Sequence, residues 1–141
     1  MNSGTEESPV KVVLDTNILI SAILYEGKPG KIFELAIEKQ LNVITSRVLL
    51  SELIEVLVKK FNFLEEKIDL IEKKINKTFI IVSPHKSLNV VKDEDDNRVL
   101  EAAVEGKCDF IITGDKELLK LAKYRSINIV TPQEFLKWRD A

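Results

Sequence analysis

The chain has 141 residues, of which 45% are hydrophobic and 31% charged, enough for one compact domain with a buried core. Its 21 Lys+Arg against 23 Asp+Glu leave a formal net charge of −2, so bulk attraction to nucleic acid is not written into the composition and any contact with phosphate must be local. One cysteine, Cys108, and one histidine, His85, exclude an intramolecular disulfide, a Cys-rich zinc site and a His-cluster metal site, and fit a reducing, cytoplasmic setting. The N-terminus lacks the basic and apolar regions of a signal peptide, and no stretch approaches the roughly 18 apolar residues that span a bilayer, so no membrane partner is expected.

Residues 1–9 are small and polar, end in Pro9 and read as a flexible leader, which leaves 10–141 as a single domain. The apolar, β-branched run at 11–14 stops at Asp15-Thr16-Asn17, three cap-favouring residues, which spells strand, tight turn, helix. That helix, over 18–24, breaks around Gly27, Pro29 and Gly30, and a second one over 31–40 leads into a strand over 41–45. Residues 47–61 give the clearest helix, because Leu50, Leu53, Ile54, Leu57, Val58 and Phe61 fall on one stripe. A partner helix follows at 64–77, then a strand at 78–82 and a connector at 83–92, where Pro84 and Asn89 interrupt any period. The remaining elements are a helix at 95–106, a strand at 109–113, a helix at 116–123, a strand at 127–130 and a closing helix at 132–138 with Pro132 in its first turn. Five apolar strands alternating with helices predict a three-layer α/β sandwich: a central, mainly parallel five-stranded sheet with helices on both faces. In such sheets ligands bind beyond the carboxyl ends of the strands.

That edge is where the acids fall. Asp15 follows the first strand and Asp115 closes the Thr113-Gly114-Asp115 turn; each alone serves equally well as an N-cap. Asp93-Glu94-Asp95-Asp96 crowds four carboxylates at a helix start, where the macrodipole welcomes two and a cation is needed to reconcile four. Within one helix Glu55 has Lys59 at i+4, a self-sufficient surface pair, whereas Glu52 has Val48, Leu49 and Val56 as neighbours and calls for another partner. Carboxylates gathered at one cleft are costly at neutral pH unless a divalent ion holds them ionised, and all-oxygen ligation suits Mg²⁺ or Mn²⁺. Such a site supports hydrolysis of phosphate esters by an activated water.

The segments V-V-L-D15-T16-N17, S51-E52-L, D95-D96-N97-x-x-L-E-A102-A103 and I-I-T113-G114-D115-K-E-L-L, in this order and spacing over about residues 10–136, resemble the PIN-domain family, and in particular VapC-type toxin ribonucleases and related single-domain PIN proteins. The resemblance implies a PIN-like fold with Asp15, Glu52, Asp96 and Asp115 as metal-binding, catalytic acids. It gives Asn17 and Thr113 the part of orienting carboxylates or water, and Asp93 that of an extra acid. Asp96 is preferred to Asp95 because its spacing to Ala103 and Asp115 resembles the toxin register; a helix starting one residue earlier would exchange the two. It further implies Mg²⁺- or Mn²⁺-dependent endonucleolytic cleavage of single-stranded RNA by a toxin, a homodimer, and an antitoxin that blocks the cleft. The competing reading is a catalytically inactive PIN-like module that binds RNA or protein. Arg98 and Lys116, close in sequence to proposed ligands, are candidates to touch the RNA backbone. Lys59, Lys60, Lys73, Lys74 and Lys77 read first as a solvated helical face and second as a rim that guides phosphate, His85 as a solvated loop residue and Cys108 as a small core residue.

Overall fold

The computed structural model describes residues 9–141, so the leader expected over 1–9 lies, but for Pro9, outside the described residues. In chain order the elements are β1 (Lys11–Leu14), α1 (Thr16–Tyr25), α2 (Gly27–Ile37), β2 (Asn42–Ser46), α3 (Arg47–Phe61), α4 (Glu65–Thr78), β3 (Ile80–Val82), α5 (Glu94–Glu105), β4 (Phe110–Ile112), α6 (Lys116–Leu121), β5 (Lys123–Tyr124), β6 (Ile127–Val130) and α7 (Pro132–Arg139). They build one sheet in the order β3-β2-β1-β4-β6-β5, parallel throughout except where β5 runs antiparallel to β6. The mainly parallel α/β sandwich expected from the pattern is therefore what forms.

Alternation along the strands divides the core into two layers. Val12 and Leu14 of β1 point to one face, where they meet Ile18 and Leu19 of α1, Ile32 of α2, Leu53 and Leu57 of α3 and Phe135 of α7. Val13 points to the other, against Leu100, Ala102 and Ala103 of α5 and Leu118 of α6. Because β1 is central and covered on both sides, its residues read as a continuous apolar run. The small residues of α5 let it lie close to the sheet: a Cβ added at Gly106 would stand 2.7 Å from Cγ2 of Ile44.

Three expectations need correction. The sheet has six strands, not five, because the helix expected over 116–123 ends at Leu121. Ala122 then takes a positive φ of 59° and the chain turns back through Arg125 (φ 55°), pairing Lys123 with Asn128 and Tyr124 with Ile127. A two-residue strand carries no readable period, so it was invisible to patterning. The break between α1 and α2 is a single residue, Glu26 at φ 62°; Pro29 and Gly30 lie inside α2, where a proline in the first turn lacks only an N–H that has no helical partner. Finally, α5 begins at Glu94 with Asp93 as its N-cap, one residue before the expected start.

Candidate functional site

The parallel register brings the turns after β1 and β4 side by side. The backbone N–H of Asp15 donates to the carbonyl of Ile112 at 3.0 Å and that of Thr113 to Val130 at 2.9 Å, so Asp15 and Thr113 end neighbouring strands. Thr113, fully buried, donates from Oγ1 to Oδ2 of Asp15 at 2.6 Å and accepts from the backbone N–H of Asp115 at 2.9 Å. One hydroxyl thus locks two of the acids. Asp15 also caps α1, its Oδ1 accepting from Asn17 N–H at 3.3 Å.

The other acids arrive on helix starts. Asp115 caps α6 with Oδ1, which accepts from Glu117 N–H at 2.8 Å and Leu118 N–H at 3.1 Å. Asp93 caps α5 in the same manner, its Oδ1 accepting from Asp95 N–H at 2.8 Å and Asp96 N–H at 3.4 Å. The capping and ligand readings of these residues are compatible, because a carboxylate has two oxygens and the cap occupies one. Asn97, next to Asp96 and fully buried, holds the preceding connector: its Oδ1 accepts from Val90 and Val91 N–H at 2.9 and 3.0 Å, and its Nδ2 donates to Val91 O at 2.8 Å. Leu88 N–H donates to Glu101 Oε2 at 2.8 Å. Those bonds tie the segment that ends in Asp93 onto α5.

Asp15, Asn17, Glu52, Asp93, Asp96 and Asp115 line one cleft of about 220 Å³, with Thr113 buried beneath it. Among them Asp93, Asp96 and Asp115 each offer an oxygen within 4.8 Å of the others. Asp96 is only 5% exposed, and its Oδ2 is buried without a hydrogen-bond partner among the described residues. An orphaned carboxylate oxygen is expensive unless it is protonated or meets a cation. Burial first, then the charge of Asp115 and a hydrogen bond with its carboxyl, then the charges of Asp93 and Asp15, push the Asp96 pKa up to about 8. Glu52, held at Oε1 by the hydroxyl of Thr16, is raised to about 7 by burial and by the Asp95 carboxyl beside it. Asp15 is raised by burial against the lowering effect of its hydrogen bonds to Thr113 and Asn17. These residues fit a divalent ion of the hard, oxygen-seeking type: every donor is a carboxylate oxygen, and burial opposes the ionisation of Asp15, Glu52 and Asp96 without a cation.

Other expectations fare differently. Arg98 is turned away, since a residue two positions after Asp96 on a helix points to the opposite side; its Nε pairs with Glu101 at 3.0 Å and its Nη2 donates to Leu88 O at 3.4 Å. Lys116 opens α6 on the exposed side and does not line the cleft. His85 sits with its Nδ1 3.0 Å from Glu105 Oε1, and Cys108 is buried, which pushes its thiol up to about 12. Four lining residues lie outside the acid and supporting set that the sequence predicts: Thr16, Val56, Asp95 and Lys60, the last read from the sequence first as part of a solvated helical face and second as part of a phosphate-guiding rim. The earlier start of α5 meets the condition under which Asp95 and Asp96 would exchange, but the geometry points the other way: both line the cleft, and it is the buried Asp96, not the exposed Asp95, that gathers with Asp93 and Asp115. A larger groove, about 490 Å³ at the ends of α2 and α4, is lined by Lys39, Lys73, Lys74 and Lys77 and lacks this carboxylate chemistry.

A family model described as PIN domain matches residues 11–117, the stretch that carries every acid above. The chain belongs to the PIN-domain family. PIN domains are nucleases as a class, and this one carries the clustered acids. This PIN domain is also similar to an uncharacterised protein of Methanocaldococcus jannaschii, at 37% identity over 94% of this chain and 93% of that protein. In fold it resembles a chain of VapBC2 from Rickettsia felis, solved bound to a DNA fragment from its promoter. The TM-score is 0.56 with 18% identity, over 85% of this chain and 97% of that one. Among the described residues no helix is long and apolar enough to cross a membrane.

Proposed function

We propose that this PIN domain is an endoribonuclease that cuts single-stranded RNA with the aid of Mg²⁺ or Mn²⁺. The observation that carries the reading is the buried, unpartnered Oδ2 of Asp96, on a residue whose carboxylate gathers with those of Asp93 and Asp115. Asp15, Glu52, Asp96 and Asp115 would hold the ion, with Asp93 as a further donor and Asn17 and Thr113 as the groups that orient Asp15. When bound, such an ion lowers the pKa of a water and neutralises charge on a phosphodiester. The chain's own contribution is placement. Thr113 keeps Asp15 and Asp115 in register, Thr16 holds one oxygen of Glu52, and the caps at Asp93 and Asp115 fix those side chains at the helix starts. Carboxylates held in place by caps and hydroxyls are the kind of preorganisation a metal site needs.

The fold likeness to a VapBC2 chain supports a place as the toxin half of a toxin-antitoxin pair whose activity a partner protein silences. We extend the proposal to a cytoplasmic setting and a homodimer. The test is cleavage of an end-labelled single-stranded RNA by the unchanged protein and by Asp96→Asn, each with Mn²⁺, Mg²⁺ or EDTA. Cutting that needs the ion and vanishes in the variant is the expected result. Absence of cutting by the unchanged protein, together with absence of thermal stabilisation by Mn²⁺, would replace this reading with that of a non-catalytic RNA- or protein-binding module.

A further inference from the structure

The geometry points to Lys60 as the positioning residue that holds a non-reacting phosphate of the RNA strand, on the side of the cleft toward the C-terminal end of α3. The inference rests on the ribonuclease reading above and concerns how that same site grips its substrate. Glu52, Val56 and Lys60 follow one another at i, i+4 and i+8, so α3 turns all three toward the cleft, and all three line it. At 1.5 Å of rise per residue, Lys60 stands about 12 Å beyond Glu52 along the helix axis. Between backbone positions that is the span of a nucleotide or two, and the long side chain, which leans back along the helix, brings a phosphate neighbouring the one being cut within reach of the ammonium.

The electrostatics make this position consequential. The cleft is lined by six carboxylates, Asp15, Glu52, Asp93, Asp95, Asp96 and Asp115, and by one basic residue, Lys60, among the described residues. A polyanion entering such a cleft is repelled everywhere except where a bound cation or a fixed ammonium faces it. Lys60 is exposed, and its helical neighbours Val56 and Leu57 are apolar, so α3 offers no acid to occupy it from the preceding turn. The adjacent Lys59 is engaged instead, with Nζ 3.4 Å from Glu55 Oε2. No ion pair among the described residues includes Lys60. Arg98 cannot take its place, being held by Glu101 and Leu88. Val56, half-buried between Glu52 and Lys60, gives the intervening sugar an apolar surface to cross.

The experiment measures kcat and KM for a single-stranded RNA with Mn²⁺ over a series of KCl concentrations, using the unchanged protein, Lys60→Ala, Lys60→Arg and the control Lys59→Ala. For Lys60→Ala, KM is expected to rise about five- to tenfold with kcat within about twofold. The slope of log(kcat/KM) against log[KCl] should become shallower by about 0.7, the loss of one phosphate contact to a single strand. Lys60→Arg keeps the charge and restores KM, Lys59→Ala matches the unchanged protein, and all four melt at the same temperature. An unaltered KM and salt slope in Lys60→Ala, or a fall in kcat alone, would overturn the inference while leaving the ribonuclease reading intact. Failure of the unchanged protein to cut removes both.

Discussion

Within a single turn of α3 the protein treats two glutamates in opposite ways. Glu55 faces water, pairs with Lys59 at 3.4 Å with both side chains largely exposed, and is complete as a surface contact. Glu52, one helical step around, has Thr16 on one oxygen, Asp95 beside it and a pKa raised to about 7. The residue type and the helix are the same; the difference is what the sheet places opposite. A charge that water can solvate contributes little either way, whereas one gathered with like charges at the strand ends is held at a cost that a cation or a proton must offset.

The largest break in that comparison should come from Asp96. Asp96→Asn is expected to lower metal-dependent RNA cleavage by more than about 100-fold, because it removes the buried oxygen around which the site is arranged. The same variant should melt higher than the unchanged protein at pH 8–9 in EDTA, since the carboxylate it removes is the one most opposed to ionising. A variant that cuts RNA as well as the unchanged protein would dismiss Asp96 from the site. Thr113→Val, close in shape but without the hydroxyl, should lose about 10–100-fold in activity as Asp15 and Asp115 lose their common partner. Full activity in Thr113→Val would mean that the bond does not orient the acids.

The metal-free protein should also respond to pH in a defined direction. The pKa values of Glu52 and Asp96 in the folded chain, about 7 and about 8, lie above the ordinary 4.5 and 3.8. Stability from their protonated forms is therefore fully present below the ordinary values and is lost as pH rises through about 7 and 8. In EDTA, Tm is expected to fall between pH 5.5 and pH 9, and Mn²⁺ should flatten that fall by binding the ionised carboxylates. A Tm that climbs over this range without metal would contradict the electrostatic account of the cleft. The smallest effect belongs to the water-facing pair: Glu55→Gln should change stability by no more than about 0.5 kcal/mol and leave cleavage as it was. By contrast Glu52→Gln should lose more than about tenfold in activity, and equal behaviour of the two variants in a cleavage assay would erase the distinction drawn between them.

Much of the fold was legible because its signals are local. The stripe at 47–61 coincides with α3 as it forms, and the cap-favouring residues after the first strand mark the start of α1, since periodicity and capping depend on near neighbours along the chain. The placement of Asp15 and Asp115 at one sheet edge followed from strand alternation and from a family resemblance carried by four short segments. Other features had no local signature. The antiparallel β5 is too short to show a period, and the start of α5 at Glu94 is settled by which carboxylate reaches the free N–H groups.

The sequence by itself determined the alternation of elements, the apolar strands buried on both faces and the inventory of acids. Those follow from side-chain chemistry and the periods of helix and strand. Tertiary structure alone decided that Thr16 meets Glu52 across 36 residues and Thr113 meets Asp15 across 98, and that Asp96 keeps an oxygen without a partner. It also turned Arg98 onto Glu101 and Lys60 toward the cleft. The physical reason is that each of these depends on where distant segments come to rest: a charge's partner, its burial and therefore its pKa are properties of its surroundings, which a residue's sequence neighbours specify only in part.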